Sequence, residues 1–147
     1  MTSGRFTLIQ QNDLHAQLEP HPEVFWRGGA RAYRRAGGLA AAATVVRRIR
    51  EEAGEAVLVD CGDAIHGTLP AMRTEGAAIV PPLNALGVEL MTPGNWEYGF
   101  GPEVLRARMA ELSGHVVACN GSTTHGRRTP QVASRSACGE RRTSGAR

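Results

Sequence analysis

Apolar runs recur along the chain, and each ends in a polar cluster. Phe6-Thr7-Leu8-Ile9, Ala56-Val57-Leu58-Val59 and Val88-Glu89-Leu90-Met91 predict buried strands, the second over about 56–60 and the third over about 88–92. Val116-Val117-Ala118-Cys119 predicts a fourth, short one. Between them lie helical patterns. From Leu39 to Glu52 an Ala-rich stretch sets Val45, Val46 and Ile49 on one stripe and Arg47, Arg48, Arg50 and Glu51 mostly on the other. Gly37-Gly38 breaks structure before that helix and Gly54 ends it. A second helix is expected from about Thr74 to Leu86, kinked or interrupted at Pro81-Pro82, which lack the amide donor a helix interior uses. A third is expected over about 102–112, with Pro102 suited to its first turn. Residues 16–36 mix Pro20, Pro22, Gly28, Gly29, arginines and scattered aromatics and read as a long loop, with Phe25 and Trp26 packed beneath it. Strand, loop and helix in repeated order predict an α/β fold whose mostly parallel sheet is covered by helices.

Periodicity stops after Asn120. Residues 1–120 read as one structured unit, and 121–147, rich in Arg, Ser, Gly and Thr, as a tail too polar to order itself. Six of the 17 arginines and only one of the 14 acids lie in that tail, so the net charge of +3 hides an acidic body and a basic end. A nucleic-acid partner is therefore not expected, the more so because no aromatic accompanies the tail's arginines. Cys61, Cys119 and Cys138 are odd in number and widely spaced, which argues against a disulfide framework or a structural zinc motif; the first two read as buried strand-end thiols. No apolar stretch approaches the roughly 18 residues of a membrane span. The N-terminus passes directly into the first strand without an export signal, which reads as cytoplasmic.

The polar clusters carry the chemistry. Asn12-Asp13-Leu14-His15, Asp60-Cys61-Gly62-Asp63 and Gly94-Asn95-Trp96-Glu97 each follow a buried strand, where open α/β sheets bind ligands. Asp13 and His15, two residues apart, project to one side of an extended backbone and can reach one ion. The Asp63 carboxylate has two oxygens with which to bridge a pair of cations, and Asn95 offers a neutral amide oxygen to the second. Carboxylate, imidazole and amide donors suit zinc, manganese or iron. Taken singly, each cluster is also ordinary turn chemistry; their order and shared position make the joint signal. His66 is a substrate-side or outer group, or a plain loop histidine; His21 and His115 have no partner suggested by spacing, and His125 lies in the tail. Arg27 to Arg35 can contact a phosphate, against the default of a solvated loop.

These motifs resemble the N-terminal metallophosphoesterase domain of the 5'-nucleotidase and 2',3'-cyclic phosphodiesterase family, with its calcineurin-like sandwich. The likeness runs from Phe6 to Asn120: an N-D-x-H motif at Asn12–His15, the Gly-Gly-led helix from Gly37, G-D-x-x-x-G-T at Gly62–Thr68, and a G-N-H-E-[FY] motif at Gly94–Tyr98. Asn84-Ala85-Leu86 and Ala118-Cys119-Asn120 fit as well. The resemblance implies a hydrolase of nucleotides or related small phosphoesters that uses two divalent ions. Asp13 and His15 would hold the first, Asp63 would bridge, and Asn95 would hold the second. Relatives are commonly periplasmic or secreted. Two departures stand out. Trp96 occupies the place of the family's histidine and cannot carry a proton back and forth, a feature reminiscent of the thiosulfohydrolase branch. The family's later histidine ligands, including G-H-x-H, have no counterpart in this chain.

Three readings follow. The chain is expected to be a truncated or frame-shifted portion of a metal-dependent phosphoesterase with impaired activity. Alternatively it is a non-catalytic metal-binding or interaction module that holds one ion weakly and docks an acidic partner through its basic tail, or a product that does not fold stably because its sheet lacks a second layer.

Overall fold

The structure is a computed structural model that describes residues 5–118. Four strands form one parallel sheet in the order β1 (Thr7–Gln11), β4 (Ala56–Asp60), β5 (Leu90–Met91) and β6 (His115–Val116). Thr7 to Gln11 pair in register with Ala56 to Asp60, so the polar residues that follow both strands emerge side by side. The connections are α1 (Leu39–Ala53) between β1 and β4, α2 (Leu69–Arg73) and α3 (Val80–Leu86) between β4 and β5, and α4 (Pro102–Glu111) before β6. The mostly parallel α/β class is as expected.

One face of the sheet is closed. Leu58 and Met91 meet Leu39 and Val46 of α1 and Leu83 and Leu86 of α3, with Ile65 and Ile79 from the intervening turns. Each of these aliphatic side chains, withdrawn from water, contributes on the order of 1.5–3 kcal/mol. Alternation along the strands turns Leu8, Val57, Val59 and Leu90 to the other face. No described element covers it, and Leu8 is 60% exposed.

Several local expectations are corrected. Pro81 and Pro82 do not kink a helix from Thr74; they occupy the first turn of α3, where a missing amide hydrogen costs nothing, after the short turn Ala77–Ile79. On α1, Val46 is buried but Val45 is exposed. Arg50, expected on the solvent stripe, reaches instead to the carbonyls of Leu86 and Gly87 and to Glu89, closing the C-terminal end of α3. Residues 21–36 are a hairpin rather than a loop: β2 (His21–Arg27) pairs antiparallel with β3 (Ala30–Ala36) across Gly28-Gly29. Phe25 and Trp26 lie exposed on it, not packed beneath. Among the described residues no helix is long and apolar enough to cross a membrane. Cys119, Asn120, His125, Cys138 and the expected tail lie outside the described residues.

Candidate metal centre

The loops after β1 and β4 continue the ladder of their strands. Asp13 donates its N–H to the Gly62 carbonyl, His15 to Asp63 and Ala16 to Ala64. These bonds hold Asp13, His15 and Asp63 so that one ligand atom from each lies within 4.8 Å of the others. The convergence does not arise from an extended backbone, as the spacing suggested. Asp13, His15 and Asp63 all adopt left-handed conformations, at φ 54°, 45° and 56°, and Ala16 does so at 52°. Such conformations cost on the order of 1–3 kcal/mol each for non-glycine residues and cluster at ligand-binding sites. Here the cross-loop hydrogen bonds impose them.

A third loop is fastened to the same place by Glu97. Its side chain is fully buried, and its carboxylate accepts the N–H groups of Asp63 (2.9 Å), Ala64 (2.6 Å), Ile65 (3.2 Å) and Gly94 (2.6 Å). Four amide donors compensate the lost hydration of a buried acid in place of a counter-cation. The Asp63 carboxylate in turn accepts the Trp96 N–H at 2.9 Å. Asn95 therefore sits between two residues that touch the Asp63 loop, and it is exposed. Glycine is required at the contact. A Cβ on Gly62 would overlap the Gly94 amide nitrogen, and one on Gly94 would overlap the Asp63 carboxylate.

Beneath the cluster lies a second buried acid. Asp60 accepts hydrogen bonds from the Gln11 side chain (2.6 Å) and the Gly62 N–H (2.8 Å). Burial pushes its carboxyl up from the ordinary value, the two hydrogen bonds pull it back, and the charges of Glu97 and Asp13 add to the rise. Neither Asp60 nor Glu97 received a role from the sequence. Both were visible inside the polar clusters, but a buried acceptor and an exposed ligand look alike as letters.

Aromatic rings flank the site. Trp96 stands edge-on to His15 with centroids 5.4 Å apart and packs at 4.7 Å on His66, which also rests 4.7 Å from Phe100. His66 Nδ1 is buried and makes no hydrogen bond with the described residues. His21, on the hairpin, has a partner after all, Glu23 at 2.6 Å. Cys61 is exposed rather than buried. Asp13 is exposed and His15 half-buried, so the cluster opens to solvent. Two surface depressions lie elsewhere, one between α1 and α3 and one beside β5 and β6.

The donor set fits a divalent ion: two carboxylates and an imidazole, converging and water-accessible, with the Asp63 carboxylate held by the backbone N–H of Trp96.

No protein-family profile matches the chain. It is 35% identical over 125 residues to a protein named "Probable 5'-nucleotidase" in Treponema pallidum, covering 82% of this chain and 21% of that protein. With the 5'-nucleotidase of Bos taurus it shares 35% over 99 residues, 67% of this chain and 17% of that protein. Among solved structures, the NAD nucleotidase of Haemophilus influenzae matches 82% of this chain and 22% of its own at 27% identity, with a TM-score of 0.75. The calcineurin-like phosphoesterase YfkN of Bacillus subtilis, at 23% identity and a TM-score of 0.67 over 84% of this chain and 39% of that one, shares the fold. The chain thus spans about a fifth of the length of the curated relatives it matches. By these likenesses it belongs to the 5'-nucleotidase family, metal-dependent hydrolases built on the calcineurin-like phosphoesterase fold.

Proposed function

We propose that this chain carries the first part of a phosphoester-hydrolysing metal centre, in which Asp13 and His15 hold one divalent ion, Asp63 bridges to a second, and Asn95 serves the second. The observation that carries the reading is the convergence of Asp13, His15 and Asp63, each in a left-handed backbone conformation and each tied to the neighbouring loop. Divalent ions at such ligands supply an activated water and neutralise charge on phosphoryl oxygens.

The chain's own residues do the positioning. Asp63 has one oxygen engaged by the Trp96 N–H and keeps acceptor capacity for an ion. Asp13 is held from its own loop by the Asn12 side-chain amide. Trp96, 44% exposed beside His15, can donate its indole N–H to a bound anion but moves no proton. That supports nucleotide hydrolysis in a form slower than a histidine at this place would allow, and equally a non-nucleotide ester that needs no proton from this side. The described residues offer the second ion only Asp63 and Asn95, so a weakly held single ion is the alternative.

Hydrolysis of AMP and p-nitrophenyl phosphate with added manganese tests the proposal. Turnover lost in Asp63→Asn supports a catalytic centre. Binding of one equivalent of manganese without turnover favours the non-catalytic module, and no manganese binding at all rejects both.

A further inference from the structure

The hairpin of β2 and β3 takes no part in the metal centre, and its surface is unlike the rest of the described chain. Residues 22–31 are all exposed, and within β3 only Ala32 and Ala36 are half-buried. The strands pair Pro22 with Arg35, Val24 with Tyr33 and Trp26 with Arg31 on one face. That face presents Trp26 at 69% and Tyr33 at 66% exposure around Val24, with an arginine at either end. On the opposite face Glu23 binds His21, the Arg34 guanidinium lies 5.5 Å from the Phe25 ring centre, and Arg27 is exposed. Arg35, on the first face, gives one guanidinium N–H to the Pro20 carbonyl and keeps others for a phosphate. A two-stranded hairpin alone is marginal in water, so a projecting one with an apolar face gains from a cover.

Charge selects the cover. The hairpin carries four arginines against one glutamate, whereas the remaining described residues carry seven arginines against twelve acids. A basic projection on an acidic body faces an anionic partner. The chain's own residues 119–147, with six arginines and one glutamate, carry charge of the same sign as the hairpin and do not supply the complement. A second copy pairing hairpin to hairpin would set arginine against arginine. A single nucleic-acid strand is held by a basic groove that tracks its backbone, and this surface is a narrow projection rather than a groove. A flat anionic interface suits it: indole and phenol rings settle at the headgroup boundary while flanking arginines reach phosphates.

We propose that the β2–β3 hairpin docks on an anionic lipid bilayer, with Val24, Trp26 and Tyr33 entering the interface and Arg31 and Arg35 meeting lipid phosphates. The test is co-sedimentation of the full chain with phosphatidylcholine vesicles containing about one third phosphatidylserine. Comparison is made with pure phosphatidylcholine vesicles and with the double variants Trp26→Ser with Tyr33→Ser and Arg31→Gln with Arg35→Gln. These side chains are exposed, so the variants are expected to fold, and circular dichroism checks it. Binding to the anionic vesicles that weakens at least tenfold in each double variant and falls with salt is expected. Three results overturn the proposal: no binding; binding unchanged from the parent in both double variants, which would assign it to residues outside the hairpin; or a hairpin-dependent dimer or oligonucleotide complex in place of vesicle binding.

Discussion

The Glu97 carboxylate accepts the Asp63 amide at 2.9 Å while also holding Gly94, so one buried acid joins the Asp63 loop to the loop that carries Asn95. A ligand on a loop is only as well placed as the group behind it. Glu97→Gln, which keeps the volume but turns two N–H bonds toward existing donors, is expected to weaken manganese affinity about 10–100-fold. Far-UV circular dichroism should remain close to that of the parent. Glu97→Ala, stranding four buried amides at about 1–3 kcal/mol apiece, is expected to abolish cooperative unfolding. Calorimetric titration with manganese is the check; unchanged affinity in Glu97→Gln would remove the positioning role.

The glycine contacts yield a paired experiment. Gly94→Ala places a methyl against the Asp63 carboxylate, and manganese binding is expected to be lost together with a fall in thermal midpoint. Gly28→Ala, at positive φ but with nothing within 4 Å of the added methyl, is expected to leave manganese affinity unchanged. Equal effects at the two sites would mean that the contact with the Asp63 carboxylate does not govern binding.

Asp60 sets a pH dependence. Its raised carboxyl pKa means that the native state keeps a proton the unfolded chain releases above its ordinary value of 3.8. Stability from this group therefore falls as pH rises from about 4 through the folded value, and the full cost stands above it. In EDTA, urea melts from pH 4 upward should show a slope that is shallower in Asp60→Asn. Identical slopes would refute the assignment.

Trp96 offers a gain-of-function test of the proposed chemistry. Trp96→His puts a group that titrates near 6.5 beside His15 and His66. If the parent turns over phosphomonoesters, the variant is expected to be about 10²–10⁴ faster, with a new limb in its pH–rate profile near neutrality. A slower variant with unchanged pH dependence would show that the indole itself is part of the site.

The pattern of residues determined a good deal alone. Alternation and apolar runs gave β1, β4 and the parallel α/β class, because a buried strand needs a continuous apolar segment whatever surrounds it. The Ala-rich stripe gave α1, and the order of Asp13, His15, Asp63 and Asn95 after successive strands gave the family. Tertiary structure decided the rest. Whether residues 21–36 pair as a hairpin depends on partners across a turn, and single-sequence periodicity does not weigh those. Whether Pro81-Pro82 break a helix or begin one depends on where Ile79 finds its core contacts. Above all, Glu97 and Asp13 are both acids next to a turn in sequence. Only the fold made one a fully buried acceptor of four amides and left the other open to solvent, because burial is set by what packs against a side chain and not by the side chain itself.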